Sequence, residues 1–493
     1  MTRLAGARRR TFRRALAATV AAACGAVLAG CGGEEQPQTS TVSVQGTEPD
    51  SLIPGKTTAL AGIRIAKTLF TGLVAFEPKT GKPVNMMAES ITSPDNVVWT
   101  IKVKPGWLFH NGEEVTARSY VDAWNALAYG PNAFVNTAYM ENVVGYEDVA
   151  PDDGKPTTKT LKGLRAVDDH TIEVKLKKPY NRFPTILGHH STAPLPKVAF
   201  DDLKAFEERP IGNGPYRMAE DWQHDRKITL KKYGKYTGSN KGSFATIEVP
   251  IYSDEQTAFN DFKGGNLDVV TVPPSQYKSA KAEFGDRYLS APISMFSRMD
   301  FPLYDKRFDD VNLRRAFSMA IDRKQIIDSI FDGQFVPATS IVPRTVPDHQ
   351  ADPCGKYCAY DPAEAKRLLA EAGGWQGTLT IWNDSGGSND DWVEAIANNL
   401  RTNLGIKDIE FKRIPFAEYL QAQRDRKMTG IFRNSWLTDS GALEQSIEPL
   451  VVPGAPGHRT GYDNPKVTAA IEDGNVTVDS LSNVRLELLR PAR

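Results

Sequence analysis

The 493-residue chain has few cysteines, no excess of either charge and no long apolar run after residue 30. Its 60 basic residues balance 60 acidic ones, and no basic stripe accompanies the aromatic residues, which argues against nucleic acid as a partner. No Gly-x-Ser-x-Gly motif of a serine hydrolase occurs. No segment beyond residue 30 is apolar enough to be predicted to cross a bilayer. The chain is long enough for two or three packed domains.

The first 31 residues have the pattern of an export signal. An apolar run at 15–29 follows five arginines without an acidic neighbour and has the length of a signal-peptide core. It ends in Leu28-Ala29-Gly30-Cys31, which resembles the lipobox of bacterial lipoproteins. This resemblance implies cleavage before Cys31 and acylation of that residue, which would hold the chain on a membrane. An ordinary cleaved signal with an incidental cysteine is the alternative.

Residues 1–30 are therefore predicted to be a lipoprotein signal peptide, and residues 31–40 a polar, flexible tether. Arg9-Arg10-Thr11-Phe12 also resembles the start of a twin-arginine signal, so the export route stays open. Six arginines and no acidic residue leave with the signal. The mature chain then has 54 basic and 60 acidic residues, a net charge near −6.

Only two cysteines remain in the mature chain besides the lipidated one. Cys354 and Cys358 are four positions apart, and in an oxidising compartment we expect them to form a local disulfide. A metal pair is the alternative, although two cysteines without a nearby histidine make a poor site. We predict no metal and no cofactor.

Local patterns predict mixed α and β structure. Residues 97–104 alternate as a half-buried strand, and Thr116 is placed to cap a helix whose apolar face carries Tyr120 and Trp124. Further on, residues 245–252 form a predicted strand, and Ser253 and Gln256 have capping-box spacing for the next helix. The apolar residues 267–272 are predicted to return as a covered parallel strand.

A second β-α-β pattern lies nearer the C-terminus. Asp361 is predicted to cap a helix that starts with Pro362. Residues 378–382 form the next predicted strand. The following helix has an apolar residue at every fourth position, namely Trp392, Ile396, Leu400 and Leu404. Ile409 and Phe411 then alternate with polar residues in a returning strand. Two separate α/β units suggest two lobes around a cleft.

Several motifs occur in an order and spacing that resemble the dipeptide/oligopeptide-binding (family 5) solute-binding proteins of ABC importers. They are Leu69-Phe70-Thr71-Gly72-Leu73-Val74, Lys104-Pro105-Gly106-Trp107-Leu108-Phe109-His110-Asn111-Gly112, Pro210-Ile211-Gly212-Asn213-Gly214-Pro215-Tyr216 and the run from Asp309 to Arg323. The resemblance implies a periplasmic-binding-protein-like α/β fold. Two α/β lobes are joined by a hinge, and an additional α+β domain is inserted in the first lobe.

The domain boundaries follow from that resemblance. It implies that lobe I consists of residues 41–81 and 207–294, that the inserted α+β domain is 82–206, and that lobe II is 295–465. Residues 466–493 are atypical, because members of the family usually continue well beyond Pro465 and return to the first lobe. We expect a truncated or frame-shifted end in which residues 480–493 pack poorly.

The same resemblance supplies candidate ligand-binding residues. An Arg-x-x-Trp-x-x-Asp stretch lines the cleft in the peptide binders of this family, and Arg433, Trp436 and Asp439 retain it. It implies that Asp439 binds the α-ammonium of the ligand, Arg433 lies near its carboxylate, and Trp436 walls a side-chain pocket. The alternative is a turn after Asp439 with Trp436 in the core. Tyr139 is a further candidate for the cleft.

The sequence thus predicts a lipid-anchored binding protein, not an enzyme, on the outer face of the cytoplasmic membrane. The resemblance implies that it captures a peptide and delivers it to the permease subunits of an ABC importer, as a monomer. Nickel, haem or an oligosaccharide are alternative ligands. A secreted hydrolase, or a surface receptor or chaperone without transport, is the alternative from another class.

Overall fold

A computed structural model describes residues 40–476 except 78–80, 152, 347–348, 386–388, 439–442 and 456. The predicted signal peptide, the lipidation at Cys31, nearly all of the tether and residues 480–493 lie outside the described residues. Within the described part, no helix combines the length and apolar character needed to cross a membrane.

The strands of the described chain form three four-stranded sheets and one two-stranded sheet. The strands are β1 Thr41–Ser43, β2 Val74–Phe76, β3 Pro83–Asn85, β4 Ala88–Thr92, β5 Val98–Val103, β6 Leu164–Asp168, β7 Thr171–Lys175, β8 Tyr216–Met218, β9 Lys227–Lys232, β10 Thr246–Pro250, β11 Met295–Asp300, β12 Leu379–Ser385, β13 Ile409–Pro415 and β14 Ile431–Leu437. The helices are α1 Leu60–Leu69, α2 Ala117–Ala128, α3 Tyr146–Val149, α4 Phe183–Ile186, α5 Leu203–Glu208, α6 Glu255–Lys263, α7 Tyr277–Phe284, α8 Val311–Met319, α9 Arg323–Phe331, α10 Pro362–Glu371, α11 Asp390–Leu404, α12 Phe416–Arg424, α13 Leu443–Val451 and α14 Pro465–Val476.

The sheet of lobe I has the order β1-β10-β9-β8, with β1 parallel to β10 and the other pairs antiparallel. Strand alternation gives it two unlike faces. One row across the sheet is apolar and consists of Val42, Ile247, Leu230 and Met218. The adjacent row consists of Thr41, Thr246, Lys231 and Arg217. The first face is therefore the one that packs on the core.

Two local predictions for this lobe are wrong. Asp254, not Ser253, caps α6, because its Oδ1 accepts a hydrogen bond from the Thr257 N–H at 2.7 Å. Residues 267–272 form only a single parallel bridge, between Val44 and Val269. The Asp268 carboxylate accepts hydrogen bonds from both the N–H and the hydroxyl of Ser43. Backbone hydrogen bonds join this segment to Ser43 and Gln45 only around Val269, and Val269 stays 48% exposed.

The inserted domain contains the sheet β4-β5-β7-β6 with α2 against it. The predicted capping role of Thr116 is confirmed: α2 starts after Thr116, whose N–H donates to the Ser119 hydroxyl at 3.2 Å. Tyr120 and Trp124 are fully buried, as predicted. These rings share one continuous apolar core with lobe I residues such as Leu69. The insertion therefore packs on lobe I.

Lobe II contains the sheet β11-β14-β12-β13 and a separate apolar core around Phe317 and Leu400. The predicted start of α10 is confirmed, since the Asp361 carboxylate accepts from the Glu364 N–H at 2.9 Å. The strands and the helix that follow α10 are confirmed as β12, α11 and β13. Cys354 and Cys358 are joined by a disulfide, with their Cα atoms 5.6 Å apart.

Each four-stranded sheet draws its strands from one of the predicted ranges, which supports the proposed lobe boundaries. The β2–β3 pair is different, because Val74 in β2 faces Asn85 in β3 across the boundary at 81/82. The chain therefore enters the inserted domain through a small antiparallel pair. The boundaries stay a proposal.

Gly212 and Gly214 allow the segment 210–216 to pack against the end of α1. A Cβ at Gly212 would lie 1.9 Å from the Leu69 carbonyl oxygen. The Gly214 N–H donates to that oxygen at 2.7 Å. His110 completes the contact: its Nδ1 accepts from the Gly212 N–H at 3.1 Å, and its Nε2 lies 3.1 Å from the Gly214 carbonyl oxygen. Since Nδ1 is an acceptor, this arrangement requires the neutral imidazole.

We predict that His110 makes folding stability depend on pH. Burial lowers the pKa of His110 from the ordinary 6.5 to about 4, against the opposing effect of the Gly214 carbonyl. Between these two values the unfolded chain binds a proton and the folded chain does not. The free energy of unfolding should therefore decrease as pH falls through this window, by at most about 3 kcal/mol.

Urea unfolding at about pH 7 and about pH 4, for the native chain and His110→Gln, measures this effect. The loss of stability on acidification should be smaller in His110→Gln, although that variant is less stable at neutral pH. Equal losses in both proteins would show that His110 does not contribute.

Candidate functional site

Strand β14 carries two of the predicted ligand-binding residues, Arg433 and Trp436. They are three positions apart on a regular strand, so their side chains leave it on opposite faces. Arg433 Nη1 lies 3.1 Å from Asp384 Oδ1 in an ion pair whose side chains are 17% and 11% exposed. The Arg433 guanidinium thus already has a countercharge within lobe II, which the sequence did not indicate.

Trp436 and Tyr139 have different neighbours. Trp436 is half-buried and packs on Gly457, where a Cβ would lie 2.7 Å from the indole. Tyr139 stacks on His189 with ring centroids 4.1 Å apart, and His189 stacks on His190 at the same distance. Asp439, the third residue of the motif, lies outside the described residues. The ligand-binding roles of Asp439, Arg433, Trp436 and Tyr139 therefore stay predictions.

The histidine pair has partners of its own. His189 Nδ1 lies 2.7 Å from the Ser191 hydroxyl, and His190 Nε2 lies 3.1 Å from the Thr57 carbonyl oxygen. Over the described ranges, no group of three His, Cys, Asp or Glu side chains is placed to hold a metal ion. The histidine stack forms one wall around Tyr139.

One ion pair and two electrostatic interactions show that lobe II, together with the helix α14 that packs on α13, faces lobe I and its insertion. Lys178 of the inserted domain pairs with Glu472 of α14 at 2.6 Å. Burial raises the pKa of Tyr180, and the Glu448 carboxylate of α13 raises it further. Burial lowers the pKa of Arg424 in α12, whereas the carboxylates of Asp425 and Asp50 raise it. Asp50 belongs to lobe I and stands at the start of the segment that leads to α1. The lobes therefore enclose a cleft with charged groups on both sides.

Two arginines of lobe II lie close enough to interact electrostatically, and one of them also interacts with Asp50 of lobe I. Burial, and then the nearby Arg424 guanidinium, lower the pKa of Arg459 to about 10. Arg424 donates to the Gln421 side chain at 2.7 Å, which is neutral. Among the described residues neither arginine has a carboxylate within ion-pair distance. A desolvated pair of cations of this kind would be stabilised by an anionic group of a ligand.

A cavity of about 1910 Å³ lies elsewhere between the sheet of lobe I and the helices of lobe II. Its lining is mainly apolar and includes Leu230, Val249, Phe317 and Phe331. Arg433 reaches its wall, but Trp436 and Tyr139 do not line it. An apolar cavity does not suit the two charged ends of a peptide, so the charged cleft is the better candidate site.

The sequence did not single out Asp384, Arg424 or Arg459. Arg424 is the ninth residue before Arg433, and its position at the end of an amphipathic helix is typical of a solvated face. Arg459 lies in a loop without a motif. The two guanidinium groups interact although they are 35 positions apart on different segments, so no local signal could have identified them.

Comparisons with known proteins agree with this architecture. The family model for bacterial extracellular solute-binding proteins, family 5 (middle), matches residues 82–457. The oligopeptide-binding protein OppA of Bacillus subtilis (strain 168) is 25% identical over 496 residues, which cover 96% of this chain and 89% of that protein. The periplasmic oligopeptide-binding protein OppA of Escherichia coli (strain K12) is 28% identical over 338 residues, which cover 66% of this chain and 61% of that relative.

Solved structures confirm the predicted fold. The murein tripeptide binding protein MppA of Escherichia coli superposes with a TM-score of 0.81 at 21% identity, covering 91% of this chain and 90% of that one. The OppA of Burkholderia pseudomallei gives a TM-score of 0.80 at 24% identity, with coverages of 90% and 88%. The family model, which matches most of the chain, decides the assignment. The chain belongs to family 5 of the bacterial extracellular solute-binding proteins, which are binding proteins and not enzymes.

Proposed function

We propose that this protein captures peptides outside the cytoplasm and delivers them to the permease subunits of an ABC importer. Relatives named as oligopeptide-binding proteins support peptide as the ligand class. The observation that carries the proposal is that Arg424 and Arg459, both partly buried in lobe II, interact with each other and have no ion-pair partner among the described residues, while Arg424 also faces Asp50 of lobe I. This positive site is suited to the carboxylate of a zwitterionic ligand.

A peptide has an ammonium group at one end and a carboxylate at the other, and an enclosed site must match both. Asp439 would bind the ammonium group, Trp436 would wall a side-chain pocket, and Tyr139 would face the ligand on its histidine stack. Arg433 would lie near the carboxylate with Asp384 holding it in place. Arg459 and Arg424 would supply the remaining positive charge. Closure of the lobes would favour the bound state.

Acylation at Cys31 would hold the protein, as a monomer, on the outer face of the cytoplasmic membrane. The Leu-Ala-Gly-Cys sequence supports this anchor, because acylated cysteines of this kind follow a signal-peptide core. The polar tether predicted at residues 31–40 would let the binding lobes reach the permease.

Calorimetry with a short unmodified peptide, its N-acetylated form and its C-amidated form tests the proposal. Each modification removes one terminal charge, so each should weaken binding by about tenfold or more, because a countercharge in the cleft is left unpaired. Mass spectrometry of material that co-purifies with the protein should identify peptides. Binding of haem, nickel or an oligosaccharide without any peptide binding would overturn the proposal.

A further inference from the structure

A basic surface lies where the chain enters the folded body. Residues 226–247 contain six basic residues and no acidic one, although the mature chain as a whole is acidic. In the sheet of lobe I, Arg217 in β8 faces Lys231 in β9 directly across the strands. Both side chains are exposed. Like charges in this position repel each other, so folding alone does not account for the pair.

The loop between β9 and β10 extends this surface. It carries the exposed side chains of Lys235, Lys241 and Phe244, the last 40% exposed. The Tyr216 hydroxyl donates to the Phe244 carbonyl at 2.8 Å and accepts from its N–H at 3.2 Å. The loop is thereby fixed against the end of β8. We call Arg217, Lys231, Lys235, Lys241 and Phe244 the anchor-side patch.

Within the described ranges the cations of the anchor-side patch have no carboxylate at ion-pair distance. Glu220, just after β8, and Glu248 in β10 lie near Lys227 at the other end of β9, at 3.8 and 3.9 Å. The sheet is thus positive at one end and balanced at the other.

The anchor-side patch lies next to the tether. The Ser40 carbonyl accepts hydrogen bonds from the N–H groups of Ala245 and Thr246, at 2.9 and 3.3 Å. Thr41 is in the same row as Lys231, two strands away, or about 10 Å at ordinary strand spacing. Ser40 is nine positions after Cys31, which an extended chain spans in about 30 Å. A membrane anchor at Cys31 would therefore hold the patch close to the lipid surface.

We infer that the anchor-side patch binds the anionic headgroups of the membrane and orients the body of the protein on it. Lysine and arginine side chains are attracted to acidic phospholipids, and an exposed aromatic ring suits the headgroup region. Because salt screens this attraction beyond about 8 Å, the patch must touch the surface to act. The contact would leave the cleft between the lobes free for ligand.

Vesicle binding by the mature chain from Gly32 onward, without acyl groups, tests this inference independently of the anchor. The vesicles consist of phosphatidylcholine alone or of phosphatidylcholine with phosphatidylglycerol. Phosphatidylglycerol should strengthen binding, and added sodium chloride should weaken it. The triple variant Lys231→Glu, Lys235→Glu, Lys241→Glu should bind the acidic vesicles at least about tenfold more weakly.

The matched control changes three exposed lysines outside the anchor-side patch, as Lys278→Glu, Lys366→Glu, Lys407→Glu. This control has the same net charge as the first triple variant, so a smaller loss of vesicle binding in the control shows that the position of the lysines matters. A glutamine version of the first triple variant should give a smaller loss in the same direction, and peptide binding should be unchanged in all of them. Equal vesicle binding by the two glutamate variants, or no preference for phosphatidylglycerol, would overturn the inference.

Discussion

Asp439→Ala is expected to weaken peptide binding by about two to four decades. If Asp439 is the countercharge for an enclosed α-ammonium group, its removal leaves that cation desolvated and unpaired. Loss of one partner of a buried charge pair costs about 3–5 kcal/mol, which corresponds to this change in dissociation constant. Calorimetry at fixed pH and ionic strength measures it directly.

The N-acetylated peptide provides an internal control, because it lacks the positive charge. Asp439→Ala should bind the acetylated and unmodified peptides with similar affinity, whereas the native protein should prefer the unmodified one. Asp391→Ala, an exposed position on α11, should bind as the native chain does. If Asp439→Ala kept the native preference for the free amine, Asp439 would have no place in the site.

Asp384→Ala is expected to lower the free energy of unfolding by about 3–5 kcal/mol, because Arg433 would keep its charge in a nearly buried position without a partner. The Arg433 backbone carbonyl also accepts a hydrogen bond from the buried Tyr419 hydroxyl at 2.5 Å. This bond holds the backbone of β14 at Arg433 independently of the ion pair. Urea unfolding followed by circular dichroism gives the value.

Two further variants separate the charge effect from lost packing. Adding Arg433→Met to Asp384→Ala removes the unpaired cation and should restore a large part of the stability. Asp122→Ala breaks an exposed pair with Arg118, whose side chain is 68% exposed, and should cost no more than about 0.5 kcal/mol. A loss in Asp384→Ala as small as that in Asp122→Ala would mean that the pair does not hold Arg433 in place.

Local rules predicted several elements of lobe II correctly. The cap at Asp361 and the apolar positions of α11 depend on contacts within four residues, which the sequence shows directly. The cap at Ser253 failed because Asp254, the next residue, is an equally good cap. The strand at 267–272 failed because its pairing with the chain near Val44, 225 positions before Val269, extends over a single bridge, a length that local patterns do not encode.

The sequence by itself determined the family, through motifs at fixed spacing, and the course of most regular elements, through capping and periodicity. Only the tertiary structure decided which groups meet: Arg433 with Asp384, Arg424 with Arg459, and the end of the basic loop with Ser40, the last residue of the tether. These residues lie on different elements, and local patterns do not encode the distances between elements. The two pairs of partly buried charges interact because the folded chain brings them together where there is little water.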